Sequence, residues 1–285
     1  VGRAVLSGNR VTGAGRNGIL VSAAQVALDH NAVRDVRAFN WDGRSAAGIH
    51  VSNWNSVDSV KSLADTVMHV GGSGFLVDTI RTADLDSLVV DETGVNVWGD
   101  YGTPYYSHGA ALYSGRYTVR SAKISNTQED GLSVSGPTAA LFSRGNHITG
   151  SGNNGISVWD PNQVEGSGDG PDTLVSIHDT VSISSNNNSA GIRAGFATYA
   201  SVDSAEVSGT GTDYATGIEF GKVDHTVLRD SKISTVSNDG VYAWIGARAL
   251  FERNAIASVG GSGVYFESID STIIRDSKIS DTFYE

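Results

Sequence analysis

Apolar positions along the chain fall into one short pattern that recurs from end to end. A tetrad of glycine, apolar, variable, apolar appears as Gly18-Ile19-Leu20-Val21, Gly48-Ile49-His50-Val51, Gly74-Phe75-Leu76-Val77, Gly94-Val95-Asn96-Val97 and Gly131-Leu132-Ser133-Val134. It continues at Gly155, Gly191, Gly217, Gly240 and Gly263, ten copies in all. Successive glycines are 30, 26, 20, 37, 24, 36, 26, 23 and 23 residues apart, so the unit is about 23–26 residues with insertions in two copies. About 12–15 residues after most tetrads comes a second apolar stretch interrupted by Asn or Asp, such as Leu141 to Ile148 around Asn146 and Leu250 to Ile256 around Asn254. Alternation at period two and an excess of β-branched residues predict strands in both places. The bend residues Asn9, Asn31, Asn146, Asn254, Asp230 and Asp276 suit a tight turn, because a short polar side chain tolerates the left-handed conformation and bonds to nearby backbone.

A short strand, a bend, a second strand and a polar turn repeated at this period describe one coil of a solenoid, which buries its apolar face only by stacking on the next coil. The pattern resembles the right-handed parallel β-helix superfamily of pectate-lyase-like proteins over nearly the whole chain. The resemblance implies an all-β, right-handed parallel β-helix of about ten coils at about 4.8 Å per coil, forming one domain over residues 1–285. A left-handed hexapeptide helix would need a six-residue period, and a propeller blade is longer than this unit. The last tetrad is followed by Ser277-Lys278-Ile279-Ser280-Asp281 without a capping helix, so caps are expected from further segments or partner subunits.

Within each tetrad the apolar residues should face inward and the residue between them outward. The outward column then reads Leu20, His50, Leu76, Asn96, Ser133, Ser157, Arg193, Glu219, Tyr242, Tyr265. Just past the strands stand Trp54, Trp98, Trp159, Phe196, Trp244 and Glu267. These aromatic rings either stack against sugars or cap the turns. Arg193 and Glu219 should be neighbours one coil apart, as an ion pair or a substrate contact. Arg120, Arg144, His178, Arg229, Arg253 and Arg275 precede the bends. They form either a basic stripe or a column neutralised by Asp230, Glu252 and Asp276.

Aligning the coils places the two insertions directly after the fourth and sixth Gly-led strands, near 98–116 and 159–172. Taking Gly109-Ala110-Ala111-Leu112 as the fourth strand would put the first insertion ahead of it. The normal spacing from Asp86 to Gly94 favours the first alignment. Both loops should then leave one edge on either side of the fifth coil and enclose a cleft. They concentrate Trp98, Asp100, Tyr101, Tyr105, Tyr106, His108, Trp159, Asp160, Glu165, Asp169 and Asp172, and loops on a rigid scaffold commonly carry function. Asp100, His108, Asp130 and Asp160 are the acid–base candidates. Trp98, Tyr105, Tyr106, Trp159, Arg193, Glu219, Tyr242 and Trp244 are the substrate-binding candidates. Asp160, Glu165, Asp169 and Asp172 could hold Ca2+, which takes six to eight oxygen ligands, or form a solvated acidic loop.

Composition narrows the classes further. The chain has no cysteine and a net charge of −11. Thiol, disulfide and zinc–cysteine chemistry are excluded, and nucleic acid is not an expected partner. No run of residues is long and apolar enough for a membrane span. Motifs of the resembling enzyme families do not match. The four prolines Pro104, Pro137, Pro161 and Pro171 lie in no Arg-x-Pro-x-x-Arg segment, Asn126-Thr127 is followed by Gln128, and Asp160-Pro161 by Asn162. Two readings follow from the fold. One is an extracellular or cell-surface polysaccharide lyase or glycoside hydrolase working in the cleft. The other is a non-catalytic adhesin, tailspike or surface-fibre stem.

Overall fold

The computed structural model describes residues 2–39, 46–52, 57–95, 97–98, 107–136, 139–159, 173–184, 189–209 and 214–284. For residues 38, 39, 57, 97, 98 and 284 it describes the backbone alone. Every paired strand is parallel to its neighbour in the next coil, and no helix occurs among the described residues. Three strands make a coil. The seventh, for example, consists of Ala190–Gly195, Tyr199–Asp203 and Glu206–Gly209. Gly-led and second strands belong to one 19-stranded sheet, and third strands to an 11-stranded sheet. In the last two coils the first two strands fuse into Val241–Glu252 and Val264–Arg275. This is the right-handed parallel β-helix that the repeat implies.

Packing explains why the tetrad begins with glycine. The Gly-led strand passes so close to the third strand that a β-carbon at Gly155 would overlap Cγ1 of Val181 and stand 2.6 Å from the Gly191 carbonyl oxygen. The same holds at Gly18 against Val33, Gly48 against Val67, Gly191 against Val207 and Gly240 against Ile256. The branched side chain of the third strand fills the volume that glycine leaves empty. Inward columns such as Ile49–Phe75 and Leu132–Ile156–Ile192–Ile218–Val241 are buried throughout. They form one continuous core.

A bend of two residues joins the second strand to the third in every described coil. Its first residue has a positive φ, 52° at His30, 56° at His178 and 54° at Arg253. Its second residue turns inward; where it is polar it builds a ladder, and in three coils Leu88, Ala122 or Ala205 fills the position instead. The Asn31 N–H donates to Asp65 Oδ1 at 2.8 Å, Ala122 N–H to Asn146 Oδ1 at 2.8 Å, Asn146 N–H to Asp179 Oδ1 at 2.8 Å and Ser231 N–H to Asn254 Oδ1 at 3.0 Å. Each side chain thereby satisfies a buried backbone donor that no strand partner reaches. Asn9, Asn31, Asn146 and Asn254 stand in this ladder as expected. Asp230 and Asp276 take the outer, left-handed position instead, and Ser231 and Ser277 carry the ladder in their coils.

The fourth coil departs from the alignment drawn from sequence. Ala110–Tyr113, not the segment at Gly94, pairs with Phe75–Val77 on one side and Leu132–Ser135 on the other. Gly109 meets Ile124 as its counterparts meet their third-strand partners, whereas Gly94 has a φ of 80° in a turn and faces Gln128. Val97–Trp98 pairs with Ala38–Phe39 in a separate two-stranded sheet. The first insertion therefore precedes the fourth Gly-led strand and does not run over 98–116. Residues 116–120 are an ordinary second strand.

Candidate functional site

Pairing of the Gly-led strands fixes the outer column coil by coil. It runs Leu20, His50, Leu76, Ala111, Ser133, Ser157, Arg193, Glu219, Tyr242, Tyr265. Ala111 replaces the expected Asn96. The two insertions meet this face at opposite ends of the strand. The first rejoins the helix at Ser107-His108, ahead of its strand, and the second departs after Trp159, past the end of Ile156–Val158. They do not share an edge, so the expected cleft between neighbouring loops is replaced by a strand face entered from both ends. Asp100, Tyr101, Tyr105, Tyr106, Asp160, Glu165, Asp169, Asp172 and Trp54 lie outside the described residues, as does the side chain of Trp98. The candidate Ca2+ ligands fall among them.

At the entry end, His108 and Asp130 are both nearly buried, with His108 Nδ1 3.7 Å from Asp130 Oδ2. Asp130 Oδ1 accepts the Asn154 backbone N–H and the side-chain amides of Asn153 and Asn154, each at 2.9 Å. In turn Asn154 Oδ1 accepts the Ala190 N–H at 2.9 Å. Asp130 thus belongs to a second turn ladder and also presents its other oxygen to the histidine. Burial lowers the His108 pKa, against the pull of the Asp130 charge, and so favours neutral imidazole. Half-buried Glu129 is pushed up to about 6, first by burial and then by the Asp130 charge. Three titratable groups therefore converge where the first insertion rejoins the helix. Glu129 is the member that sequence reasoning missed, although the adjacent carboxylates of Glu129-Asp130 were a visible signal.

At the exit end, glycines make room for indoles. A β-carbon at Gly195 would collide with the Trp159 ring, and one at Gly221 would stand 2.7 Å from Trp244 Nε1 and 3.0 Å from Trp159 Cζ3. Trp159 therefore lies across the strands of the seventh and eighth coils. The Arg193 guanidinium stacks on it at 4.1 Å, and Phe196 meets it edge-on with centroids 5.1 Å apart. Arg193 also donates from Nη2 to Glu219 Oε1 at 3.1 Å, the neighbour contact expected from the repeat. Tyr242 stacks on Tyr265 with centroids 5.3 Å apart and donates its hydroxyl to Glu267 Oε2 at 2.7 Å. Burial and that carboxylate raise its pKa.

The residues before the bends form no continuous basic stripe: Arg120 and Arg144 are direct neighbours, but in the later coils Asp230 and Glu252 neutralise the arginines, the second of the two expectations. Strand pairing sets Asp203, Arg229, Glu252 and Arg275 in one column, and the adjacent left-handed positions carry Asp230, Arg253 and Asp276. Charges alternate in both. Arg229 Nε donates to Glu252 Oε2 at 2.8 Å, Arg275 bonds the other Glu252 oxygen, and Arg253 Nε donates to Asp230 Oδ1 at 2.7 Å. Arg120 pairs with Asp84 at 2.9 Å.

Comparisons with known proteins agree with the architecture. The family described as "Right handed beta helix region" matches residues 175–284. A mutant of the periplasmic alginate epimerase AlgG resembles the chain with a TM-score of 0.54 at 11% identity, over 99% of this chain and 73% of that one. The A-module of the mannuronan C-5 epimerase AlgE4 from Azotobacter vinelandii aligns with a TM-score of 0.48 at 12% identity, over 99% of this chain and 88% of that one. No curated protein matches the sequence.

Proposed function

We propose that this protein acts on a polysaccharide held against the outer face of its Gly-led sheet, with Glu129 and His108 exchanging protons at the entry end and Asp130 positioning His108. The observation that carries the reading is the convergence of these three groups on one rim of an otherwise regular solenoid. A carboxyl that titrates near 6 and an imidazole kept neutral by burial are matched to proton transfer close to neutral pH. Asp130 is the positioning residue, since its Oδ2 faces His108 while its Oδ1 is fixed by three N–H groups. Trp159, Arg193, Glu219, Tyr242 and Trp244 form the binding surface along the same face. Trp98, Asp100, Tyr105, Tyr106 and Asp160, whose side chains lie outside the described residues, remain candidates from the sequence alone.

Bond cleavage by a lyase or a glycoside hydrolase is the reaction this cluster can serve. The epimerase described as periplasmic shares the fold, which supports a periplasmic or extracellular setting and a polysaccharide as the ligand class. Incubation with a polysaccharide panel, read as new reducing ends and as absorbance of unsaturated products, tests the proposal. Turnover that Glu129→Gln and His108→Ala each lower at least about a hundredfold supports it. Turnover untouched by both substitutions overturns the assignment. A second reading, a non-catalytic stem, is favoured by one observation. The ladder Asp130–Asn154–Ala190 is the kind of structural contact that any coil requires, and the stem reading gains if no polysaccharide is turned over.

A further inference from the structure

We infer that the polysaccharide taken by this face is uncharged, an inference that rests on the reading of the Gly-led face as a glycan site. A polyuronate carries one negative charge per sugar. Holding it takes cations with hydrogen bonds to spare, or a bridging metal. The arginine of this face is already engaged. Arg193 is bonded to Glu219, lies flat on Trp159 and keeps only 25% of its side chain exposed. The Lys222 ammonium stands 5.5 Å from the centroid of the Phe196 ring. Against these two stand Asp130, Glu219 and Glu267 on the same Gly-led strands and their rims, with Glu129 beside them.

Neighbouring features strengthen the bias. The sequence from Asp160 to Asp172 holds Asp160, Glu165, Asp169 and Asp172 and no lysine or arginine. Among the described residues no group of three His, Asp or Glu side chains is placed to hold a metal ion that could bridge carboxylates. Of the arginines before the bends, Arg229, Arg275, Arg253 and Arg120 are paired with Glu252, Asp230 and Asp84, and Arg144 ends a second strand rather than a Gly-led one. An approaching polyanion therefore meets the repulsion of a chain with a net charge of −11. A neutral sugar meets complementary groups instead. Half-buried Ser133 offers a hydroxyl, and the stacked rings of Tyr242 and Tyr265 offer an apolar surface to sugar C–H groups. Neither contact demands a charge in return.

This choice of substrate also selects the reaction. Elimination removes a proton made acidic by a neighbouring carboxylate, and an uncharged hexose has none. Cleavage is then hydrolytic. Glu129 gives its proton to the departing glycosidic oxygen, water supplies hydroxide to the anomeric carbon, and the remaining water proton passes to His108. One water is consumed for each bond broken.

Calorimetry of the whole chain tests the inference. The probes are gluco-, manno- and galacto-oligosaccharides against oligomers of mannuronate and galacturonate, at low and high salt, with and without Ca2+. Neutral oligosaccharides should bind equally at both salt concentrations, and the oligouronates should not bind. Glu219→Gln, which releases Arg193 from its carboxylate, should raise oligouronate affinity at low salt by at least about tenfold. Salt-sensitive binding of oligouronates by the unaltered protein, with or without Ca2+, overturns the inference and leaves the glycan site standing. Binding of neither class removes the site and the inference together.

Discussion

Replacing Asp179 by Asn would take a charge out of the ladder while leaving its frame in place. Asp179 is fully buried, accepting the Asn146 N–H at 2.8 Å on Oδ1 and the Ser176 hydroxyl at 2.7 Å on Oδ2. One coil earlier Asn146 fills the same position with the same serine three residues before it. Its Nδ2 donates to Ser143 Oγ at 2.8 Å while its Oδ1 accepts the Ala122 N–H. An amide in place of the carboxylate can repeat that arrangement, with the Ser176 hydroxyl turned to accept. Burial raises the Asp179 pKa, and hydrogen bonds from Asn146, Ser143 and Ser176 only partly oppose the rise. Desolvation of a carboxylate costs several kcal/mol, and each bond to it returns about 1.5–3 kcal/mol. The balance left stands against the charged form. Because the folded state holds this proton more tightly than the unfolded chain, the unaltered protein gains stability as pH falls through the raised pKa. Asp179→Asn should therefore be more stable at neutral pH, each gain of about 1 kcal/mol raising Tm by about 2 °C. The advantage should shrink on acidification toward the ordinary carboxylate range. Denaturant and thermal unfolding across that range measure it. A variant less stable at neutral pH, or an advantage independent of pH, refutes the reasoning.

Gly155→Ala should destabilise by about 1–3 kcal/mol or more, since the new methyl overlaps Val181 and approaches the immovable Gly191 carbonyl; unfolding of Gly155→Ala with Val181→Ala should recover only the part owed to Val181. Ile156→Ala should cost about 2–5 kcal/mol, because Ile156 is fully buried between Leu132 and Ile192, as urea titration can show. Ile245 holds a φ of 56° with a β-branched, exposed side chain, so Ile245→Asn should gain about 0.5–1 kcal/mol and raise Tm. Trp159→Ala should weaken oligosaccharide binding at least tenfold, about 1.4 kcal/mol by calorimetry, because Arg193 and Phe196 both rest on that ring.

Nine of the ten tetrads are Gly-led strands in the register read from sequence, because each pairs a glycine with a filled inward column. The tenth failed for an identifiable reason. Gly94-Val95-Asn96-Val97 has the right local alternation, but the decisive partner of the glycine lies on the third strand. In most coils a Val or Ile follows the glycine by fifteen to seventeen residues, as Ile124 follows Gly109 and Ile256 follows Gly240. The same interval from Gly94 reaches only Gly109, Ala110 and Ala111. Neutralisation of the arginines by Glu252 and Asp230 was legible, but their division into two columns was not. Arg229 and Arg253 belong to adjacent positions that a left-handed bend directs differently, and sequence spacing alone does not tell the two apart. Arg193 beside Glu219 was legible, since both occupy equivalent positions of consecutive coils. The meeting of Glu129, His108 and Asp130 was only half visible, because His108 reaches Asp130 through the register of the fourth strand. Gly195 and Gly221 as the floor for Trp159 could not be read at all, since the indole crosses onto coils later than its own.

The two-residue bend limits where this scaffold can vary. A corner with one left-handed residue and one ladder residue has no slack, and a longer connection there would break a buried hydrogen-bond chain that runs through several coils. The corner before the Gly-led strand carries a shorter ladder through Asp130 and Asn154, yet the lengths of the other two corners differ from coil to coil. Novelty is thereby channelled to one side of the molecule, at the two ends of the Gly-led strands, while the opposite side serves as a spine of constant length. Engineered loops or affinity tags grafted at the two permissive corners should be accepted, and the same grafts at the bend should prevent the coils from closing.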